Sequence, residues 1–450
     1  MAKEFIQSSR APRKFLICAA FVFLFFTIAF HSQSSNVWSR LATASSIVER
    51  GTLSIDGDPT TAKSVDKVWI RGSFYSDKQP TMSFLIAGLY YPLHQLGFRL
   101  NQRRSVPYVL ITFLLIGGST LLCLAAFHRA LGIVGLNEYQ RLSMTGGLAF
   151  ATLLFPWSTT LNNHSFSGAW VFISFYLLLS AKTGPPERVR NNLLLAGAAA
   201  GLAAAADSAC NLFVVAFGAY ISCSKPLRKG LPGYIVFAGL VMLPGVIAGY
   251  YITGDLRPIQ VHPEYFHYPG SYWNLGIDHL SGISRNDLGF SLRYAYNCLF
   301  GPNGFLLYNP LLLIAIFEAS TLILRRQPFW QEALVSVAAC VGFTGYFFLY
   351  SSNYSGHSYS IRWFVSLIPI LWFFAFPFFM NLTRTKKWVY GALCCVSILI
   401  ALVGTVDQWP PTLKFSSTPA FVLNWRLEVR PRVEWFLAGM PNLGKRPEEP

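Results

Sequence analysis

The chain has 450 residues, 53% of them apolar and only 12% charged, and its mean hydropathy is +0.41. A soluble domain carries about a quarter charged residues, so this composition excludes an ordinary soluble protein and points to an all-α polytopic membrane protein. The formal charge of +16 would suggest nucleic acid in a soluble chain; here many basic residues sit in short loops between apolar segments, where they encode orientation, and no nucleic-acid partner is expected.

Lys3, Arg10, Arg13 and Lys14 precede an apolar run over 15–31 without a small-x-small cleavage site, which reads as an uncleaved first span with a cytoplasmic N-terminus. A polar stretch over 32–80 follows. In it, Val37–Arg50 is helix-like and stopped by Gly51, while "GTLSID" and "KVWIRGSFY" read as short extended pieces around turns. The segment 81–97 is apolar but holds Pro92, His94 and Gln95. Further spans are expected near 107–127, 141–158, 165–181, 191–206, 209–223, 231–252, 305–324, 332–350, 363–381 and 388–405.

The segment 81–97 decides the topology. If it spans, the loops holding Lys182, Lys225, Arg325 and Arg384 face outward; if it lies in the interface, they face the cytoplasm. The positive-inside rule favours an interfacial helix on the outer face. The expectation is about eleven spans over 1–405, a multi-pass protein of the inner or plasma membrane. Its outer loops 32–104 and 253–304 form the functional face, and 406–450 is a short outer tail. The eight cysteines lie mostly inside apolar segments without CxxC spacing and read as small apolar fillers, with no metal site.

Five stretches could carry chemistry. The first outer loop holds Asp56, Asp58, Asp66 and Asp77 with Lys63, Lys67, Arg71 and Lys78, either as paired surface charges or as a functional loop, which its length favours. In "FPWSTTLNNHSFSG", His164 stands beside Asn162 and Asn163, as a headgroup-level residue or as part of a site. Asp207 ends an Ala/Gly-rich span, a costly place unless it meets a cavity or a partner. The stretch 261–280 combines Glu264, Tyr268, Trp273 and Asp278 with three histidines, suiting a sugar site or an interfacial aromatic belt. Arg362 opens a span at its outer end, where it either snorkels or binds phosphate.

Four of these patterns together resemble the GT-C fold membrane glycosyltransferases, the bacterial relatives of protein O-mannosyltransferases and of the lipid A aminoarabinose transferase. They are "ERGTLSID…D…G.FYSDK.P", "PWSTTLNNHS", "LFGPNGFLLYNP" and "NYSGHSYSIRWFVSLIPIL", in order over 15–385. The resemblance implies inverting transfer of a sugar from a polyprenyl-phosphate donor, with no cofactor, to a glycan, lipid or protein acceptor on the outer face. It also implies a catalytic acid in the first loop and a lysine that meets the carrier phosphate. Lys78 matches that lysine, with Asp77 beside it. Where many relatives carry an acid after the first span, this chain has Asn36, so the base is sought at Asp66 first, then Asp77 or Asp56. Tyr75, Asn36, His164, Glu264, Tyr268 and Arg362 complete the expected substrate contacts. The alternative is a lipid-linked glycan transporter, polymerase or ligase without this chemistry.

Overall fold

The computed structural model describes residues 2–30, 33–100, 105–275, 285–410 and 418–437. Asp278 and His279 of the second outer loop lie outside the described residues, as does the end of the tail. The chain is helical nearly throughout: α1 (Ala2–Ala29), α2 (Ser35–Arg50), α3 (Pro80–Gln95), α4 (Val106–Ile133), α5 (Glu138–Phe150), α6 (Asn163–Thr183), α7 (Pro186–Ala206), α8 (Ser208–Cys223), α9 (Leu231–Thr253), α10 (Leu288–Phe300), α11 (Leu312–Leu324), α12 (Trp330–Tyr350), α13 (Arg362–Met380) and α14 (Arg384–Val406). Among the described residues, 7 helices are long and apolar enough to cross a membrane. Each of the eleven expected spans meets helical structure, though three are shorter or broken.

The breaks have local causes. The span expected at 141–158 ends as a helix at Phe150, and a buried turn Leu154–Trp157 follows, where Pro156 offers no N–H. The span expected at 305–324 becomes helical only at Leu312, after Asn309 and Pro310; the Asn309 side chain is spent on Leu153 N–H (2.8 Å) and the Phe305 carbonyl (2.8 Å). Within α13, a 3₁₀ stretch Arg362–Leu367 leads into Ile368–Phe373, and the chain turns again before Phe376.

The first outer loop is ordered. α2 ends on Gly51, whose left-handed backbone (φ 67°) lets its N–H close onto the Ile47 carbonyl. "KVWIRGSFY" forms the antiparallel pair β1 (Lys67–Ile70) and β2 (Ser73–Ser76), joined by Arg71 and Gly72 at φ 50° and 85°. Two positive φ angles match the twist of a two-residue hairpin. "GTLSID" is irregular rather than extended strand. The segment 81–97 is helix α3, at 16 residues shorter than the roughly 20 a span needs. It buries Met82, Ile86 and Tyr90 while exposing Tyr91 and, just beyond its end, Leu96.

Small residues set the bundle's spacing. A Cβ on Gly197 or Gly201 of α7 would sit 2.2 Å or 2.4 Å from the Tyr234 or Ala238 carbonyl of α9, so these helices meet backbone to backbone. A Cβ on Gly168 of α6 would lie 2.7 Å from the Ser366 Cα of α13. At the end of the bundle away from the loops, Glu332 of α12 accepts bonds from Lys182 of α6 (2.5 Å) and Tyr220 of α8 (2.5 Å), joining three helices. All eight cysteines are free.

Candidate active site

The site begins on the inner face of α2. Asn36, Ser39, Arg40 and Thr43 recur at helical spacing and are all buried. Ser39 Oγ donates to the Asp66 carbonyl (2.5 Å) and accepts from Ser76 Oγ (2.6 Å), fixing both ends of the hairpin against α2. Ser76 Oγ also accepts the Lys78 N–H (3.1 Å). This short turn aims Lys78 Nζ at Asp77 Oδ2 (2.7 Å) and Asp66 Oδ1 (3.5 Å). Asp77 is 2% exposed and its Oδ1 has no partner. Burial pushes the Asp77 carboxyl up to about 6, against the pull of Lys78. Pro80 then opens α3.

Arg40 lies between this pole and a second one. Its Nη1 donates to the Asn36 carbonyl (3.2 Å) and its Nη2 to Asn163 Oδ1 (2.9 Å), while its Nε has no partner. Burial brings this guanidinium down to about 10, and Asp77, Asp66 and Asp207 all act on it. The second pole is a histidine–aspartate pair, His164 Nδ1 to Asp207 Oδ2 at 2.8 Å, both residues buried. Asp207 is delivered by the end of α7, where the backbone turns extended (φ −141°, ψ 105°). Ser366 Oγ donates to the His164 carbonyl (3.0 Å). Arg362 stacks on Trp409 (4.7 Å) with its Nε unpartnered, and it senses Asp66, Arg40, Asp207 and Asp77. Among the described residues, neither Arg40 nor Arg362 makes an ion pair. A buried guanidinium, Arg40, and a half-buried one, Arg362, without carboxylate partners are costly unless an anion joins them.

Beside Lys78 opens a cleft of about 200 Å³ between α3, α7 and α9. Lys78 and Asp77 stand at one side of it; Ala204, Met242, Gly245 and Gly249 line it, and residues 256–260 of the second outer loop complete its wall. Charged atoms and an apolar wall thus share one space.

The structure brings together Asp66, Asp77, Lys78, Asn36, His164 and Arg362 from the expected set. Tyr268 joins them, with its ring edge on Phe74 (5.1 Å) and its hydroxyl under the influence of Asp77 and Asp66. Three residues stand apart. Asp56 is exposed and closes a turn, accepting the Phe74 N–H (3.1 Å) and the Ser54 hydroxyl (2.6 Å). Tyr75 packs on the small Val68–Ile70–Phe266 cluster. Glu264 is 60% exposed and meets only His262 (3.1 Å) and the field of nearby charges. Arg40 is the residue the sequence reading missed; it shares the buried face of α2 with Asn36, one turn away, and that periodicity was the available signal.

No family model matches the chain, and no curated protein sequence matches it. Solved structures do. ArnT from Cupriavidus metallidurans bound to undecaprenyl phosphate superposes with a TM-score of 0.52 at 14% identity, over 86% of this chain and 62% of that one. The oligosaccharyltransferase AglB from Archaeoglobus fulgidus, in complex with an inhibitory peptide and a dolichol-phosphate, gives 0.56 at 11% identity, over 97% of this chain and 60% of that one. The chain has the GT-C fold. It spans less than two thirds of the length of these GT-C neighbours. The charged cluster sits where the ordered loop 33–80 and the helical bundle meet.

Proposed function

We propose that the chain is an integral-membrane glycosyltransferase that moves a sugar, with inversion, from a polyprenyl-phosphate donor to an acceptor on the outer face. The observation that carries this reading is Lys78: an ammonium group at the polar end of a cleft that also has an apolar wall of Ala204, Met242, Gly245, Val246 and Gly249. A lipid phosphate has that pairing of a charged head and a greasy chain, and the neighbours' structures hold undecaprenyl phosphate and dolichol-phosphate. The acceptor is a glycan, a lipid or a protein, and the protein resides in the inner or plasma membrane with its N-terminus inside.

A glycosyl phosphate is already activated. The protein must neutralise the departing phosphate and take the acceptor's proton. Lys78 and Arg362 supply the first, as preorganised cations in a site largely closed to water. A carboxylate of the loop, Asp66 first, is the sequence-based assignment for the second. No residue of the chain needs to form a covalent bond to the sugar.

The test is direct. Purified protein in lipid vesicles is offered undecaprenyl phosphate carrying tritiated mannose, glucose or aminoarabinose, with an envelope extract as acceptor. Release of undecaprenyl phosphate with label transferred supports the reading, provided Lys78→Ala lowers it by about 10²-fold or more, the scale for losing one preorganised donor. Wild-type protein that binds undecaprenyl phosphate but transfers no sugar overturns it.

A further inference from the structure

The site has two poles, and they are not equivalent. Lys78 holds Asp66 and Asp77 on the phosphate side, within 3.5 Å and 2.7 Å of its Nζ. Inversion needs the acceptor to approach the sugar from the face opposite the departing phosphate, so a base on that opposite face must stand away from the phosphate-binding cation. In inverting glycosidases the two working carboxyl groups stand roughly 6.5–9.5 Å apart to leave room for the nucleophile, and a transferase needs the same room between its leaving group and its base. Asp66 fails this condition because it shares the cation meant for the leaving group.

The other pole does not share that cation. His164 makes no contact with Lys78, Asp66 or Asp77; the charges that act on it are Asp207, Arg362 and Arg40. Arg40 and Arg362 feel Asp66, Asp77 and Asp207 together, so both guanidiniums are within electrostatic reach of both poles. The polar chain runs from the Asn36 carbonyl through Arg40 to Asn163, the residue before His164. The position at which the resemblance expects an acid is thus filled by an amide, and an imidazole stands at the other end of the same network. His164 Nδ1–H donates to Asp207, which fixes the tautomer and leaves the Nε2 lone pair free. Nε2 has no protein partner among the described residues, and it is not one of the atoms sealed from solvent.

We infer that His164, oriented by Asp207, is the general base of the transfer, in place of the carboxylate missing at Asn36. This rests on the glycosyltransferase reading above. In the step, the acceptor oxygen forms a bond to the anomeric carbon as the bond from that carbon to the phosphate oxygen breaks. The bonding pair leaves with the phosphate, beside Lys78. The acceptor proton passes to His164 Nε2 and returns to solvent. Asp207 is a positioning residue that orients the ring and stabilises the imidazolium.

The test compares wild type, His164→Gln and Asp207→Asn in vesicles, using the tritiated undecaprenyl phosphate sugars with methanol or trifluoroethanol as acceptor. The expected result is a kcat lowered about 10²–10⁴-fold in His164→Gln, the range for general-base catalysis, with unchanged KM for the donor. The more acidic trifluoroethanol should lose less than methanol, because it needs the base less. Asp207→Asn should show the same dependence on acceptor acidity. Equal losses for both alcohols in both variants, or full activity in His164→Gln, overturn the inference while leaving the transferase reading intact. A fall in undecaprenyl phosphate binding that accounts for the whole loss also overturns it. Wild type that binds undecaprenyl phosphate and turns over no donor overturns both.

Discussion

Arg40 and Asn163, 123 positions apart, are joined by a 2.9 Å hydrogen bond that ties the first outer loop to the start of α6. Neither residue can be exchanged without consequence for the other: a guanidinium 3% exposed has replaced water with this amide and a backbone carbonyl. Arg40→Met is expected to leave the hairpin folded but to slacken the junction, lowering transfer at least tenfold, while Arg40→Lys recovers little because a single ammonium cannot span both acceptors. Transfer assays with protein of matched monodispersity check this.

Asp77 sets a pH dependence. Its carboxyl is pushed up to about 6 in the folded protein, above the ordinary value of 3.8. A raised folded value contributes stability that is complete below about pH 4 and is lost as pH rises through about 6. Thermal unfolding of wild type in detergent should therefore shift upward as pH falls from 7 to 5. Asp77→Asn should lack that component. An identical pH slope in both proteins would refute the assignment.

The cluster of Lys182, Tyr220 and Glu332 predicts a reversal between single and double variants. Glu332 is 2% exposed at its side chain, so Lys182→Met strands a buried carboxylate and should cost about 3 kcal/mol. The double variant Lys182→Met/Glu332→Leu removes both charges and should recover most of that loss. Denaturation midpoints of the four proteins of the cycle decide it.

Gly201 offers a packing test. A side chain there would have to displace the α9 backbone at Ala238, with no flexible group to yield. Gly201→Val should destabilise by about 1–3 kcal/mol or more and lower the yield of monodisperse protein. Gly245 differs, because its neighbour is the Thr81 hydroxyl at 2.6 Å, a side-chain end beside the cleft. Gly245→Leu should fold and lose undecaprenyl phosphate binding.

The proposed interfacial placement of α3 predicts the orientation. A cysteine introduced at Arg326, in a background freed of Cys18, Cys223 and Cys395, should be labelled by a membrane-impermeant maleimide only when the cytoplasmic face is open. Labelling from the outside alone would reverse the parity.

Much of this was legible in the sequence. Apolar length placed the spans, Gly51 placed the end of α2, and "KVWIRGSFY" was legible as extended chain, though its folding back at Arg71 and Gly72 was not. Spans interrupted at Ala151 and Phe374 were not legible, because apolar runs look continuous whether or not the helix within them breaks. Within the site, Lys78 and Arg362 stood out as charges beside apolar segments. The His164–Asp207 pair did not, since 43 positions separate its members and only the packing of α6 on α7 brings them to 2.8 Å.

The dispersal of the site along the chain bears on how the protein is made. Arg40 and Lys78 emerge early in synthesis, yet Asn163, Asp207 and Arg362 follow on separate helices, the last near the end of the bundle. A ribosome-bound chain that has inserted only its first spans already pairs Lys78 with Asp66 and Asp77 but carries Arg40 without Asn163, its partner on α6. Lipid headgroups are the phosphates at hand during that interval, and the nascent loop would be held at the membrane surface by the same residues that later face the substrate.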